Sequence, residues 1–205
     1  QERRAYLTLM QAALREEAAR GSLVYHGNAG HLLLRNVPQV LRVRVVAPLS
    51  YRLAALKERT AMEGQEAESH IQRMDDLRRK WTRYLYGVDW EDPALYDMVL
   101  NLERMEIQEA CDVVASAVDQ RRLQEGPGFF EAMQDMALAS RVEARLVLDP
   151  KTAKLSVEVT SYRGVVSIKG RIRTGKLVDH VREVAGAVPG VARTDLELLV
   201  PEEDL

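Results

Sequence analysis

The sequence predicts two domains of different fold class, an α/β domain with a parallel sheet followed by a small α+β domain. In the first half, short apolar runs alternate with segments of helical periodicity, as in strands joined by helices. After residue 130, one helical segment precedes a stretch in which apolar and polar residues alternate almost strictly. Between the halves, Gly126-Pro127-Gly128 disfavours a continuous helix. We therefore expect domains at residues 1–121 and 131–205, with a linker at 122–130.

Composition argues against several classes of protein. Lys and Arg number 29 and Asp and Glu 31, which leaves a net charge of -2 on 205 residues. This balance favours neither nucleic acid nor an anionic membrane, so no nucleic-acid partner is expected. The apolar runs are shorter than the ~20 residues that span a bilayer, and the single Cys111 suits a reducing compartment, which predicts a cytoplasmic protein. Because the chain opens at Gln1 directly in a helical pattern, we expect it to be a piece of a longer protein.

The predicted elements of the first domain place one glycine-containing turn where a ligand could bind. In chain order they are a helix ending near Gly21, a strand in "SLVYHG", helical turns in "HLLLRN", a strand in "QVLRVRVVAP", a charged helical arm from Ser50 to Gly87, a strand at Tyr96–Leu100 and a helix at about 106–121. The turn Gly27-Asn28-Ala29-Gly30 follows the first of these strands. Parallel sheets bind ligands beyond the carboxyl ends of their strands, so this turn is either a ligand-binding element or only a tight bend.

The second domain has a more regular pattern. A helix is predicted over about 129–149, and apolar residues then alternate with polar ones on either side of a turn at Ser161–Gly164, which indicates a β-hairpin. Helical spacing returns from Leu177 to Val188 and stops at Pro189-Gly190, before a last alternating strand in "VARTDLELLV". A helix, two strands, a helix and a strand make a compact α+β unit.

Two families have motifs that match this organisation. Residues from about Arg4 to Val118 resemble the cytidylate kinase-like family in "GNAGHLLL", "LRVRVVAPLSYRL", "MDDLRRKWTRYLYG" and above all "GVDWEDPALYDMVLN". Residues from about Glu131 to Val200 resemble a BON domain in "LASRVEARL", "VEVTSYRGVVSIKG" and "VREVAGAVPGVARTDLELLV". The first resemblance implies a P-loop-kinase-like fold that transfers a phosphoryl group from ATP to a nucleoside monophosphate with the help of Mg²⁺. The second implies a module that binds phospholipid or another small ligand.

The kinase resemblance lacks one motif that phosphoryl transfer needs. A loop of the form G-x-x-x-x-G-K-[ST] surrounds the donor phosphates with backbone N–H groups, and no such string occurs in the 205 residues. The nearest string, "GRIRTGKLVD", has Leu177 in place of the metal-binding hydroxyl and lies in the BON-like part. The α/β domain is therefore predicted to be incomplete, and this chain is expected to be inactive as a kinase, either because a segment is missing or because it is a dead relative.

The resemblance also assigns candidate site residues. Arg59 and Arg78 on the charged arm correspond to arginines that stabilise charge on the phosphates, a role suited to the planar, permanently charged guanidinium. Asp75 lies three residues before Arg78, on the same helical face. Gly27, Asn28 and Gly30 lie where relatives carry a "GRG" string beside the acceptor nucleotide, and Asn28 replaces its arginine. The alternative interpretation of the arm is a solvated face of ordinary ion pairs.

Other groups favour structural roles. His26 and His31 flank the turn without a nearby cysteine or carboxylate, so no metal site is predicted. The aromatic residues at the end of the arm could stack on a base or simply pack; they are Trp81, Tyr84, Tyr86 and Trp90. In the BON-like part, Gly164 and Gly170 are expected to permit the hairpin turn and a close backbone approach.

Two hypotheses about function remain open. The first is a nucleotide-binding, kinase-like protein. The second is a non-catalytic scaffold or regulatory protein whose BON-like module binds a lipid, a small ligand or a protein partner. Because an incomplete parallel sheet exposes apolar strand edges, a second copy is expected to cover them, which predicts a homo-oligomer.

Overall fold

The computed structural model describes residues 2–27, 29–34, 37, 40–122, 128–172 and 174–199. These residues form seven α-helices, one 3₁₀ turn and five strands. In chain order they are α1 (Glu2–Ala19), α2 (Gly30–Leu33), β1 (Val43–Val46), α3 (Leu49–Thr60), α4 (Gly64–Tyr86), the 3₁₀ turn (Pro93–Leu95), β2 (Met98–Asn101), α5 (Ile107–Arg122), α6 (Phe129–Leu148), β3 (Val157–Tyr162), β4 (Val165–Arg171), α7 (Gly175–Gly186) and β5 (Arg193–Leu199). None of the described helices is long and apolar enough to cross a membrane.

The chain divides into two compact units. The parallel-sheet unit comprises residues 26–125, and the hairpin unit comprises residues 1–25 together with 126–205. The predicted domains differ from these units in one element, because α1 packs against α6 of the hairpin unit. The α1 face towards α6 buries Ala12 and Leu14, and the guanidinium of Arg15 donates a hydrogen bond to the buried Ser140 hydroxyl at 2.9 Å.

The parallel-sheet unit contains a parallel sheet, as predicted, but a smaller one than expected. Strand β1 pairs with β2 in parallel, with Val43 opposite Met98 and Val46 opposite Asn101. The prediction of a strand in "SLVYHG" was wrong. Residues 22–26 form neither helix nor strand, and Val24 is 97% exposed. A parallel strand needs a neighbour for its N–H and C=O groups, and no described strand lies beside this segment.

The predicted arm is interrupted once. Helix α3 ends at Ala61, whose φ of 61° is left-handed, and α4 begins at Gly64. Helix α4 then ends where the sequence predicted, at Gly87, which has a φ of 71° and donates its N–H to the Arg83 carbonyl.

The hairpin unit has the predicted order of helix, two strands, helix and strand. Strands β3 and β4 are antiparallel with Val159 opposite Ile168, and β5 is parallel to β4 with Leu196 opposite Ile168. Helices α6 and α7 cover one face of this sheet. The most buried members of their shared core are all 0% exposed, and they are Val142, Val166, Ile168, Val181 and Ala185.

Candidate functional site

The turn at Gly27–Gly30 leads directly into the short helix α2. Gly30 is its first residue and is buried, whereas Gly27 is exposed. Ala29 precedes the helix with a left-handed φ of 61° and provides no side-chain cap. Asn28 lies outside the described residues. The described part of the turn is thus a tight bend directly before α2, and His31 of α2 contacts Tyr96 in the loop before β2.

His31 stacks on Tyr96, the residue before the aspartate of the "YD" motif. Their ring centroids are 4.6 Å apart with an interplanar angle of 34°. Burial, and secondly the charge of Arg42, lowers the pKa of His31, so its ring is neutral near pH 7. Burial is also the main reason why the pKa of Tyr96 is raised, so its hydroxyl remains protonated. That hydroxyl donates a hydrogen bond of 2.7 Å to the carbonyl of Trp90.

Two guanidinium groups lie near the ring of Trp90. The Cζ atom of Arg44 is 4.9 Å from the indole centroid, and the Cζ atom of Arg78 is 5.9 Å from it. Arg44 is held on strand β1 and donates to the Glu91 carbonyl at 2.7 Å. Both contacts fall within the range of cation–π attraction, so the loop carrying Trp90 is bound to the sheet on one side and to α4 on the other. We call the set His31, Arg44, Arg78, Trp90 and Tyr96 the Trp90 stack.

The predicted pair of Asp75 and Arg78 is present but is not the strongest contact of Asp75. The two side chains are 3.7 Å apart. Asp75 instead accepts two hydrogen bonds of 2.7 Å from the terminal nitrogens of Arg52 on α3, a bidentate pair that joins α3 to α4. The hydrogen bond to Asp75 is the main cause of a raised pKa for Arg52. Arg79, one residue after Arg78, is bound to Asp76 at 2.7 Å.

The structure therefore brings some predicted site residues together and leaves one apart. Gly30 is connected to Arg78 through His31, Tyr96 and Trp90, and Asp75 lies beside Arg78. Arg59 is exposed in the last turn of α3, and its side chain forms no hydrogen bond or ion pair with the described residues. The roles of all these residues in binding remain predictions.

Sequence reasoning missed Arg44 and Arg52, and it left open how Trp90 packs. The string "DWEDPALYD" already places Trp90 and Tyr96 in the most specific motif of the chain, which is the one signal that could have drawn attention to them. The aromatic group at the end of the arm is divided by the structure, because Trp81 and Tyr84 form an exposed edge-to-face pair with centroids 6.4 Å apart, away from the Trp90 contacts.

No metal or phosphate cradle is evident in the part of the chain that the structure covers. Its described residues hold no group of three or more His, Cys, Asp or Glu side chains that could bind a metal ion. The string "GRIRTGKLVD" begins in β4 and enters α7, and a Cβ on Gly170 would lie 2.8 Å from the Ser156 carbonyl oxygen. Gly170 is thus enclosed by β3 and is unlike a glycine of an open phosphate loop.

The two glycines predicted for the BON-like hairpin occupy different positions. Gly164 lies in the turn with a φ of 80°, after Arg163 with a φ of 49°, and a Cβ there would be 3.2 Å from the Gly190 carbonyl oxygen. Two successive left-handed residues match the twist of a two-residue hairpin turn. Gly170 lies inside β4, seven residues along from the turn's start, and allows the close approach of β3.

Known proteins match the two parts of the chain separately. Residues 1–104 match the sequence profile of the cytidylate kinase-like family, and residues 134–201 match that of the BON domain. A cytidylate kinase of Methanopyrus kandleri is 30% identical over 121 residues, which cover 55% of this chain and 63% of the relative. A cytidylate kinase of Staphylothermus marinus is 23% identical over 104 residues, which cover 51% of this chain and 58% of the relative. The chain therefore spans about six-tenths of the length of these relatives.

A solved structure adds support for the fold alone. An uncharacterized protein from Eubacterium ventriosum superposes with a TM-score of 0.51 at 18% sequence identity, covering 54% of this chain and 63% of the other. The kinase-like match includes α1, although α1 packs on α6 in this structure.

Proposed function

Because the chain belongs to the cytidylate kinase-like family, we propose that its parallel-sheet unit binds a nucleoside monophosphate, with cytidine monophosphate as the first candidate. The turn at Gly27–Gly30, including Asn28, faces the acceptor nucleotide, and Arg59 and Arg78 provide positive charge for its phosphate, with Asp75 beside Arg78. The observation that supports this most is the continuous contact path between Gly30 and Arg78 through the Trp90 stack.

The carboxylate contacts of the arm arginines favour Arg78 and Arg59 over Arg52 and Arg79 as phosphate ligands. Arg52 and Arg79 are each already bound to a carboxylate at 2.7 Å. Among the described residues, the Arg78 guanidinium contacts Asp75 at 3.7 Å and the face of Trp90, which leaves most of its N–H donors available to phosphate oxygens. Arg59 has no competing carboxylate among the described residues. A guanidinium that is not already paired binds phosphate without first breaking an ion pair.

Phosphoryl transfer from ATP is proposed for the whole protein only. Mg²⁺ and a glycine-rich loop together would neutralise the donor phosphates, and no string of that kind occurs in the 205 residues. The described residues likewise provide no acidic cluster for the metal. We therefore expect the 205-residue chain to bind the acceptor without turning over ATP and CMP.

Isothermal titration of CMP into the 205-residue chain tests this proposal. We expect saturable binding that weakens about tenfold or more in an Arg78→Met variant, since a charge-assisted hydrogen bond contributes roughly 1.5–3 kcal/mol. The matched control is Arg73→Met, which removes an exposed arginine one and a half turns earlier on α4. Absence of CMP binding to the unmodified chain, or equal losses in both variants, would contradict the proposal.

A second function is favoured by one feature of the hairpin unit. At the tip of the β3–β4 turn, Tyr162 is 68% exposed and Arg163 lies over its ring at 5.4 Å. An exposed aromatic ring beside a cation suits the interface of an anionic phospholipid membrane. In this alternative the kinase-like unit is a non-catalytic scaffold and the BON module binds lipid. Co-sedimentation with phosphatidylglycerol vesicles that is lost in Tyr162→Ser would support it, and no co-sedimentation of the unmodified chain would exclude it.

Self-association is a further proposal about partners. Val45 and Val99 belong to opposite faces of the β1–β2 sheet and are 57% and 44% exposed. Parallel sheets are normally covered on both faces, so a second copy is expected to bury at least one of these two faces. Light scattering that gives the mass of a single chain at all accessible concentrations would contradict this expectation.

A further inference from the structure

The Trp90 stack joins two segments that are far apart in sequence. His31 is the second residue of α2, directly after the turn, and Arg78 belongs to the middle of α4. Between them lie only Tyr96, which stacks on His31, and Trp90, whose carbonyl accepts the Tyr96 hydroxyl and whose ring faces Arg78. Each step is a direct contact between described residues.

The position of the indole depends on its neighbours on both sides. Its Nε1 is buried and has no hydrogen-bond partner among the described residues. The ring is therefore not fixed by its own nitrogen. It is held by the Arg44 and Arg78 guanidinium groups on its face and by the Tyr96 hydroxyl at its backbone, so a shift of Tyr96 or Arg78 also moves the ring.

Arg78 in turn depends on Trp90. The nearest carboxylate, that of Asp75, already accepts hydrogen bonds of 2.7 Å from both terminal nitrogens of Arg52. The Arg78 guanidinium lies 3.7 Å from the same carboxylate. The indole face is the other contact that sets the direction of the Arg78 guanidinium. Without the indole face, the Arg78 guanidinium would be oriented only by solvent and by Asp75.

We propose that Trp90 is a positioning residue that couples the setting of Arg78 to the conformation of the turn at Gly30 and His31. A ligand bound at the turn changes the direction of the Arg78 guanidinium through Tyr96 and Trp90. Because such coupling is reciprocal, a ligand bound by Arg78 changes the affinity of the turn for its ligand by the same factor. For its effect on nucleotide binding, the coupling rests on the proposed function. The contact path itself does not.

The first test needs no nucleotide. The chain has two tryptophans, so a Trp81→Phe background leaves Trp90 as the single emitter. In that background, with excitation that tyrosine does not absorb, we compare Trp90 emission in Tyr96→Phe, in Arg78→Met and in the double variant, with Arg73→Met as the control. Each single change should alter the emission, the double variant should depart from the sum of the two, and the control should match the background. Additive changes overturn the coupling.

The second test measures CMP affinity by titration calorimetry. Trp90→Leu removes the aromatic face and should weaken binding about fivefold or more, the lower end of typical coupling, while Trp90→Phe keeps an aromatic face and should recover most of the affinity. Arg78→Met should add little to the loss when combined with Trp90→Leu. Equal weakening by Phe and Leu overturns the role of the ring face, with far-UV circular dichroism showing that each variant is folded.

The two tests separate the two proposals. If the unmodified chain binds no CMP but the emission changes are non-additive, the acceptor function is wrong and the coupling stands. If CMP binds normally and the emission changes are additive, the coupling is wrong and the acceptor function stands.

Discussion

The hairpin unit and the parallel-sheet unit differ in how far their elements are covered by their own chain. In the hairpin unit, Val166 and Ile168 of β4 are fully buried beneath α6 and α7. In the parallel-sheet unit, Val45 of β1 and Val99 of β2 are about half exposed, and the first residue of α5, Ile107, is 62% exposed. A three-strand sheet with two helices closes over itself, whereas a two-strand parallel sheet does not. The parallel-sheet unit has buried apolar residues of its own, such as Ala67, Ile71 and Leu100, but more of the apolar surface of its strands stays exposed.

The largest expected effect is a contrast between the two sheets. Ile168→Ala should destabilise the hairpin unit by about 2–5 kcal/mol, because it leaves a cavity in a fully buried position. At dilutions where the chain is monomeric, Val45→Ala should change the stability of the parallel-sheet unit by about 0.5 kcal/mol or less, since the side chain is 57% exposed in the single chain. Both tryptophans lie in the parallel-sheet unit, so urea unfolding followed by fluorescence reports that unit and far-UV circular dichroism reports both.

A comparable loss for Val45→Ala would contradict this contrast. It would mean that the β1–β2 sheet is covered in solution, as the proposed second copy requires. Repeating the measurement across protein concentrations separates these cases, because only a self-associated sheet gives a concentration-dependent midpoint.

A smaller effect is expected at the glycine that lets β3 approach β4. Gly170→Ala places a Cβ 2.8 Å from the Ser156 carbonyl oxygen and 2.9 Å from Val157 Cγ1, so the strands must separate, at a cost of about 1–3 kcal/mol. Gly186→Ala is the matched control, because a Cβ at the end of α7 meets nothing within 4 Å and should be neutral or stabilising by about 0.5–1 kcal/mol. Chemical unfolding followed by circular dichroism measures both. Equal effects at the two glycines would show that close approach is not what requires Gly170.

The same contrast explains what the sequence could predict. The hairpin unit followed its pattern closely, because strict alternation specifies both the register and the buried face: Val157, Val159, Val166 and Ile168 all turn towards the helices. The left-handed turn at Gly164 and the end of α4 at Gly87 were also predictable from glycine alone. These features depend on residues close in sequence.

Features that depend on distant partners were not predictable. The pattern of α1 shows that one face is apolar but not which element that face meets, and the helix packs on α6, more than a hundred residues later. The apolar run Leu23–Tyr25 was interpreted as a strand, but a strand requires a neighbour that the run itself does not specify. Likewise, Asp75 was paired with Arg78 by helical spacing, whereas Arg52 on another helix binds it in bidentate fashion.

That bidentate pair gives the third prediction. Arg52→Leu should destabilise the parallel-sheet unit by about 1 kcal/mol, less than a fully buried charged pair, because both side chains are partly exposed. Arg79→Leu removes a similar contact to Asp76 on the same helix, together with a looser exposed contact of 3.8 Å to Glu91, and should cost about 0.5 kcal/mol or less. Urea unfolding followed by tryptophan fluorescence measures the two. If the losses are equal, the connection between α3 and α4 contributes nothing beyond an ordinary surface ion pair.

The smallest expected effect is the pH dependence that Asp149 gives the hairpin unit. Burial acts to raise the pKa of Asp149, but hydrogen bonds from His180 and from the Thr152 and Lys151 amides, together with the charge of His180, lower it overall. The unfolded chain therefore takes up this proton first, so the carboxylate stabilises the unit at pH values above about 4, and this contribution is lost as the pH falls through the lowered value.

Glu143, in the same unit, acts in the opposite direction. Burial raises its pKa despite the charges of Arg4 and Arg15. Its contribution is present at low pH and lost as the pH rises through the raised value, so the Asp149 effect must be isolated as a difference between variants. The free energy of unfolding of Asp149→Asn, followed by circular dichroism, should fall below that of the unmodified chain at pH 7, by about 1 kcal/mol or less, and approach it near pH 3. Asp179→Asn replaces an exposed residue of α7, and its free energy of unfolding should differ from that of the unmodified chain by the same amount at every pH. A constant offset between Asp149→Asn and the unmodified chain at all pH values would show that Asp149 acts through its shape and neutral hydrogen bonds, with no contribution from its charge.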